Sequence, residues 1–414
     1  MRRPAKNKTD ILIIGGGASG LAAACVLAEA GKGSLLLEKE QRLGRKLLAT
    51  GNGRCNLLNT GAPVYFGGAG FAEKALSHYG VREVTAFFHS LGLTIREEEG
   101  GRAYPMTGQA ASVLDCLKAG MGKCTEVQAI TGCAVTGIRL ADGGFTVDTE
   151  PGETYFAKRI ILAAGSPAAP HLGGSGSVAA IAAGMGHRLI PFRPALCALV
   201  CETKEIKGLS GLRLPACLTI YRGKRPVSAS AGEILFTETG VSGVCAMQLA
   251  ESAGEGLLLN EEVTLSIDFS PLVGLSEPLM RRLDPAEVNR ETSRVKMLGL
   301  LEKRRGRLGR EQMFTGLLPA KLAGKVQGLP IVKAAEWLSG LTLKVLGTRS
   351  FDQAQVAAGG LDTAGFDPET MESRLIPGLY VCGEALNVDG DTGGFNLLFA
   401  WASGILAARH AILQ

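Results

Sequence analysis

An α/β fold is predicted by three observations in this 414-residue sequence. Near the N-terminus a short apolar strand runs into a glycine-rich turn and an apolar helix, and a second strand then closes on an acid. Near the C-terminus another apolar strand again ends at a glycine and an acid. Between the two, the hydrophobic pattern changes at about Pro191 to short strands and turns. The composition permits such a fold, since 46% hydrophobic and 20% charged residues are ordinary for a globular enzyme. At about two to three times the length of a typical domain, the chain can bury a sizeable core.

The elements follow in order. Residues 10–14 read as a buried strand, 20–30 as a helix ending at Gly31, and 34–37 as a strand closed by Glu38. Residues 60–125 read as mainly helical, most clearly at 81–91 and 110–119. Alternating patterns at 126–138 and 144–147 predict strands of a small sheet, and 159–163 is an apolar strand running into Ala164 and Gly165. From Pro191 to about 267, strands are predicted at 195–201, 216–221, 232–236 and 263–267. Helical signals fill 271–339. Strand character returns at 341–346, 353–357 and 379–384, and a last helix spans 396–413.

The first glycine cluster, Gly15-Gly16-Gly17-Ala18-Ser19-Gly20, has a physical reason at each position. Gly15 permits the tight turn, Gly17 lets backbone approach a pyrophosphate, and Gly20 allows helix and strand to pack closely. Ala18 and Ser19 open the helix, whose free N–H groups favour an anion. Glu38, followed by Lys39, stands 18 residues after Gly20, where a carboxylate accepts from adenosine ribose hydroxyls and repels a 2′-phosphate. FAD or NAD is therefore expected in preference to NADP. The C-terminal element decides between them, because FAD is longer and must be held along its length. There Gly383-Glu384 ends a strand, and Gly393-Gly394-Phe395-Asn396 opens the last helix, whose N-terminus favours negative charge on a flavin ring.

Between these lies a loop, Gly44 to Asn56, with the cations Arg45, Lys46 and Arg54, the amides Asn52 and Asn56, and Cys55. It is placed to run along the pyrophosphate toward the isoalloxazine. The segment resembles the G-R-K-x-x-x-[ST]-G-x-G-R-C-N signature of the BaiN/RdsA-like NAD(P)/FAD-dependent oxidoreductases, the aminoacetone-oxidase-like flavoproteins. Three further stretches agree: Gly232 to Thr237 with Thr239 to Gly243, Ala358-Gly359-Gly360 with Thr370 to Ser373, and Pro377 to Gly404. The resemblance covers nearly the whole chain. It implies a discontinuous Rossmann-type FAD-binding domain (1–190 and 358–414). A β-rich, barrel-like domain (191–270 and 340–357) interrupts it and carries a small helical subdomain (271–339). By the same resemblance Val135 lies near the adenine, and Ala164-Gly165 passes close to the cofactor. The chain departs from the pattern at Glu238, Val244, Asn387 and Leu398, positions expected to face an interdomain cleft and so to bear on the substrate.

Other features are weaker. The net charge of +5 suits an anionic cofactor without requiring nucleic acid. The Lys- and Arg-rich run 290–310 reads as a solvated helical face. Ten cysteines lack zinc spacing, no metal site is predicted, and a reduced cytoplasmic location fits best. Cys55 reads as a structural thiol rather than a redox group, because the paired cysteines of disulfide reductases are absent. His78, His89, His171, His187 and His410 are scattered and support no hydrolase. Gly174 to Ala179 mimics a second dinucleotide fingerprint but follows its strand too late for a tight turn. Arg2-Arg3 and the apolar run 11–30 imitate export signals, yet three glycines break the run and no cleavage site follows. No other uninterrupted apolar segment approaches the roughly 20 residues of a bilayer span, so a soluble protein is expected, with no membrane partner and its oligomeric state left open.

The expected activity is hydride transfer at flavin N5 in an FAD enzyme acting on a small molecule. NAD(P)H-dependent reduction of an activated C=C bond in a steroid-like or other enone is preferred on the resemblance. The alternatives are an FAD-dependent small-amine oxidase using O₂ and a flavin-stabilised RNA-binding protein. Lys46, Asn52, Arg54, Tyr104 and Asn396 are the polar residues expected near the ring, with Glu238 from the inserted domain.

Overall fold

The computed structural model describes residues 7–150, 152–277 and 281–413. Arg2-Arg3 and residues 278–280 of the predicted helical stretch lie outside the described residues. The chain forms two compact units, Met1–Arg193 with Val356–Gln414, and Pro194–Gln355.

The first unit is built on β1 (Lys8–Ile14), α1 (Ala18–Glu29) and β2 (Ser34–Glu38). β1 pairs in parallel with β2 on one side and with the strand Thr154–Leu162 on the other. The parallel sheet continues to Val127–Thr131 beyond β2 and to Leu379–Val381 beyond Thr154–Leu162. Ile14 lies opposite Leu37 and Leu162, and Leu162 lies opposite Val381. The carboxyl ends of four strands therefore reach one edge together, the edge at which open α/β sheets bind ligands. Gly144–Thr149 and Val135–Ala141 extend the sheet with antiparallel pairs.

α1 is apolar on all sides because it is covered on all sides, as Ser19 through Ala28 are all buried. The helix Phe395–Leu413 crosses it so closely that a Cβ on Gly404 would lie 2.3 Å from the Ser19 carbonyl oxygen. By length and composition this last helix could cross a membrane, but two thirds of its apolar window (67%) is buried inside the protein. Its Trp401 is fully buried and donates from Nε1 to the Leu57 carbonyl at 2.9 Å. The apolarity of this helix is used in the core of the first unit.

Two stretches differ from the sequence reading. Residues 60–125 hold three helices, Ala69–His78, Val81–Ser90 and Ala110–Met121, but also a three-stranded sheet of Leu58–Asn59, Arg102–Pro105 and Ile95–Glu98. Residues 126–138 form two strands, because Gly132 at φ +68° turns the chain between them.

In the second unit six strands close on themselves. Arg213–Arg222 pairs with Val263–Asp268, and the ring runs on through Leu341–Thr348, Leu199–Cys201, Gly240–Ser242 and Arg225–Thr237 back to Arg213–Arg222. The barrel expected from the resemblance is present, and closure leaves its strands without a free edge. Arg281–Leu283, within the stretch read as helical, adds a seventh strand on Arg225–Thr237. The helices Arg290–Gln312, Ala320–Val326 and Ile331–Gly340 follow. The first is capped by Asn289, whose Oδ1 accepts from the Thr292 N–H at 3.0 Å. Of its cations, Arg294 pairs with Glu291, while Arg290 and Arg304 donate to the backbone carbonyls of Gly340, Met313 and Thr315.

Candidate cofactor and active site

The glycine turn is held by backbone packing. The Gly15 N–H donates to the Leu37 carbonyl at 2.8 Å, and Gly15 itself has φ +108°. A Cβ there would stand 2.4 Å from the Ala163 carbonyl oxygen, and one on Gly20 only 1.9 Å from that of Gly15. Gly17 is different: nothing lies within 4 Å of its Cβ position. It begins α1 without a side-chain cap, so the first-turn N–H groups face open space. The sequence permits close approach at one place, and the fold leaves that place clear.

Glu38 joins the turn to β2. Its Oε2 accepts from the Gly16 N–H at 2.6 Å and its Oε1 from the Glu40 N–H at 2.8 Å. A carboxylate has about four acceptor sites, so capacity remains for ribose hydroxyls. The N–H groups of Gly132 and Cys133 donate to the Glu40 and Glu38 carbonyls, both at 2.9 Å, and bring the chain leading to Val135 beside Glu38. Val135 itself is buried at the head of its strand. Lys39 lies 3.9 Å from Glu40 in a loose ion pair. Ala164 touches the Gly15 turn, and Gly165, at φ +72°, has open space at its Cβ position.

The loop expected along the pyrophosphate begins with the short helix α2 (Arg45–Ala49). Arg45 pairs with Glu40 and donates to the His171 carbonyl at 2.9 Å. Lys46 reaches the returning C-terminal element, with Nζ 2.5 Å from Glu384 Oε2. Ser166 Oγ donates to the same oxygen at 3.3 Å, whereas Glu384 Oε1 is buried without a partner. Gly383 lies against the start of α1, since a Cβ there would be 2.8 Å from Ser19 Oγ. Segments more than 330 residues apart in sequence thus meet at one helix N-terminus.

Farther along, Arg54 pairs with Glu98 at 2.5 Å and stacks on Tyr104, its Cζ 4.0 Å from the ring centroid. Asn52 is an exposed turn residue at φ 55°. Cys55 is fully buried, and burial pushes its thiol up to about 12, which disfavours the reactive thiolate. Asn56 Oδ1 is buried without a partner, 2.9 Å from the Cβ position of Gly394. Gly393 and Gly394 have φ +112° and +110°, and a Cβ on Gly394 would meet the Leu58 carbonyl at 2.5 Å.

One placement, that of Leu398, corrects the sequence reading, and two others add detail to it. Asn396, expected near the ring, is engaged by its own loop. Its Oδ1 accepts from the Gly390 N–H at 2.8 Å, and its Nδ2 donates to the carbonyls of Gly390 at 2.6 Å and Asp391 at 3.3 Å, so it shapes the loop before the last helix. Leu398, expected at a cleft, is 2% exposed and belongs to the hydrophobic core of the first unit. Asn387 also belongs to that unit, its carbonyl accepting from the Gly68 N–H and its N–H donating to Leu361. Phe395 packs edge-on against Tyr65, whose hydroxyl donates to the Phe395 carbonyl at 2.8 Å. Glu238 and Val244 are exposed in the second unit. Arg102, absent from the sequence reading, lies with its Nε 3.8 Å from the Cβ position of Gly393.

These groups fit FAD. A clear backbone approach at Gly17, an acid at the second strand, and two orphaned buried acceptors at Glu384 and Asn56 match a long ligand with a pyrophosphate, ribose hydroxyls and further donors. The fold and this cradle define a Rossmann-type FAD-dependent oxidoreductase. The chain belongs to the HI0933-like family, whose Rossmann-domain model matches residues 9–410. It is 36% identical to the 3-dehydro-bile acid delta(4,6)-reductase of Clostridium scindens, over 96% of this chain and 98% of that protein. It is 26% identical to the ribosomal RNA dihydrouridine synthase of Escherichia coli K12, over 97% and 98%. Among solved structures it resembles 3-ketosteroid delta1-dehydrogenase from Sterolibacterium denitrificans at 15% identity, over 99% and 100% of the two chains, with a TM-score of 0.48.

Proposed function

We propose that this enzyme reduces an activated C=C bond in a steroid-like enone, with NADH or NADPH as the transient electron donor. The observation that carries the reading is the 36% identity, along almost the whole chain, to a protein named as a bile-acid delta(4,6)-reductase. In a 3-oxo compound with a C=C bond next to the carbonyl, the far alkene carbon is electron-poor. Reduction adds hydride there and a proton at the carbon beside the carbonyl. FAD supplies the hydride chemistry at N5 and stores the two electrons between donor and substrate.

The protein's part is to hold and orient. The α1 N-terminus and Gly17 receive the pyrophosphate, Glu38 the ribose, and Glu384 and Asn56 accept hydrogen bonds farther along. Lys46 balances the charge of Glu384 beside them. Arg54, fixed between Glu98 and the Tyr104 ring, keeps a cation and a phenol at the end of the loop. The N-terminus of the helix Phe395–Leu413 favours negative charge. All ten cysteines are free, which supports a reducing, cytoplasmic location.

The test is anaerobic. NADH or NADPH should bleach the flavin, and a 3-oxo-Δ4 steroid should restore its colour with formation of the saturated ketone. Bleaching by aminoacetone and by neither nucleotide would overturn the proposal in favour of an oxidase. A second reading, supported by the 26% identity to the E. coli protein, is reduction of the uracil ring in ribosomal RNA. The bond type is the same, an alkene conjugated to a carbonyl. Reoxidation by unmodified rRNA but not by the steroid would select it.

A further inference from the structure

We propose that Arg102, with Arg96 and Arg54 beside it, anchors a carboxylate carried by the substrate, an inference that rests on the enone reading above. The three-stranded sheet of Leu58–Asn59, Ile95–Glu98 and Arg102–Pro105 supplies the geometry. Arg96 lies directly across from Tyr104, and Glu98 across from Arg102. Side chains alternate along strands, so these four share one face while Glu97 and Ala103 take the other. Arg54 lies over the same face, stacked on Tyr104.

Three guanidinium-bearing residues therefore share this face with one carboxylate. Glu98 Oε1 serves two of them, Arg54 at 2.5 Å and Arg96 at 3.0 Å. Among the described residues, the Arg102 side chain has no hydrogen-bond or ion-pair partner. The face keeps an excess of two positive charges, with one planar fork unengaged. Glu99 follows in the exposed turn and is the nearest further acid in sequence.

The position is also defined. Asn59 pairs with Arg102 across the sheet and donates from Nδ2 to the Gly393 carbonyl at 2.8 Å. This bond ties the cationic face to the loop that opens the last helix. The cofactor's own phosphates are provided for elsewhere, at Gly17 and the start of α1. An anion for Arg102 must therefore come from another molecule. A guanidinium matches a carboxylate with two parallel hydrogen bonds, a geometry that a lysine does not offer.

The experiment uses the FAD-loaded enzyme and two ligands, 3-oxochol-4-en-24-oate and its uncharged methyl ester. Binding is read from the perturbation of the visible flavin spectrum, without turnover. The acid should bind about 10-fold more tightly than the ester or better, an advantage that shrinks as salt is raised. In Arg102→Gln the ratio should fall to within about 2-fold, and Arg96→Gln should lower it partway, with flavin content and Tm held. Equal binding of acid and ester by the parent enzyme sinks the anchor and leaves the enone reading standing, as does an unchanged ratio in Arg102→Gln. If Arg102→Gln instead weakens NADPH relative to NADH, the anion is a nucleotide phosphate and the proposal is wrong. If neither steroid perturbs the flavin or reoxidises reduced enzyme, the enone reading falls and takes the anchor with it.

Discussion

Replacing Gly17 by valine separates cofactor binding from folding. A Cβ at Gly17 meets no atom within 4 Å, and the residue has φ −85°, which any residue adopts. The valine therefore occupies only the space through which a pyrophosphate approaches the α1 N–H groups. Losing two charge-assisted hydrogen bonds at about 1.5–3 kcal/mol each costs about 3–6 kcal/mol. At 1.4 kcal/mol per decade this weakens FAD binding by about 10²- to 10⁴-fold. Flavin fluorescence titration of the apoprotein measures the effect, and urea unfolding of the same apoprotein should shift by less than about 0.5 kcal/mol. Gly20→Ala should behave oppositely, because its Cβ would lie 1.9 Å from a backbone carbonyl and must disrupt the turn itself. Unchanged FAD affinity in Gly17→Val would refute the placement of the pyrophosphate, and an apoprotein as unstable as Gly20→Ala would refute the claim of clear space.

Three further outcomes are expected. Ser373 Oγ accepts from the N–H groups of Leu375 and Ile376, so its proton goes to His187 Nε2 at 3.1 Å and the imidazole is neutral. Burial holds the His187 pKa below the ordinary value near ~6.5. The unfolded chain thus takes up the proton first, and stability complete above that value should be lost as pH falls through the folded one. Urea melts between pH 7.5 and 5 should show this slope, and His187→Gln should flatten it. Cys55 should resist a thiol reagent in the native protein while the half-buried Cys116 and Cys124 react; prompt native labelling of Cys55 would restore a redox role. Tyr380→Phe removes a fully buried hydroxyl that has no partner, and should leave stability level or raise it by about 1 kcal/mol in urea unfolding.

Much of the cofactor cradle was legible because its logic is local. The Gly15 to Gly20 turn and Glu38 lie within one strand–helix–strand unit, and Gly20 is dictated by the Gly15 carbonyl within it, although the carbonyl that excludes a side chain at Gly15 belongs to Ala163 on another strand. The return of Gly383-Glu384 was legible as a strand end, but its contact with Lys46 and Ser19 was not, since nothing in a linear pattern states which distant strand ends coincide. The sheet holding Arg102 was missed because strands of two to four residues are too short to show alternation. The loop bonds of Asn396 were hidden for a related reason. An asparagine in the first turn of a helix reads equally as a ligand for a cofactor or for the preceding loop, and its bonds to the Gly390 and Asp391 backbone are visible only in the fold. Leu398 failed through reliance on a departure from a motif, which says that a residue differs without saying where it points.

The crossing of α1 by the last helix, with Gly404 against Ser19, has a consequence for how the protein is made. α1 lies upstream of the inserted barrel in the chain, and the helix that crosses it lies downstream. Until the downstream helix is made, α1 can pack on β1, β2 and the helix Ala110–Met121 but lacks the cover of its remaining face, and Gly383-Glu384 is not yet there to meet it. The inserted barrel, Pro194–Gln355, is complete well before the unit that surrounds it in sequence. The glycine turn therefore gains its Gly383-Glu384 neighbour, and α1 its last cover, only after the barrel has been synthesised.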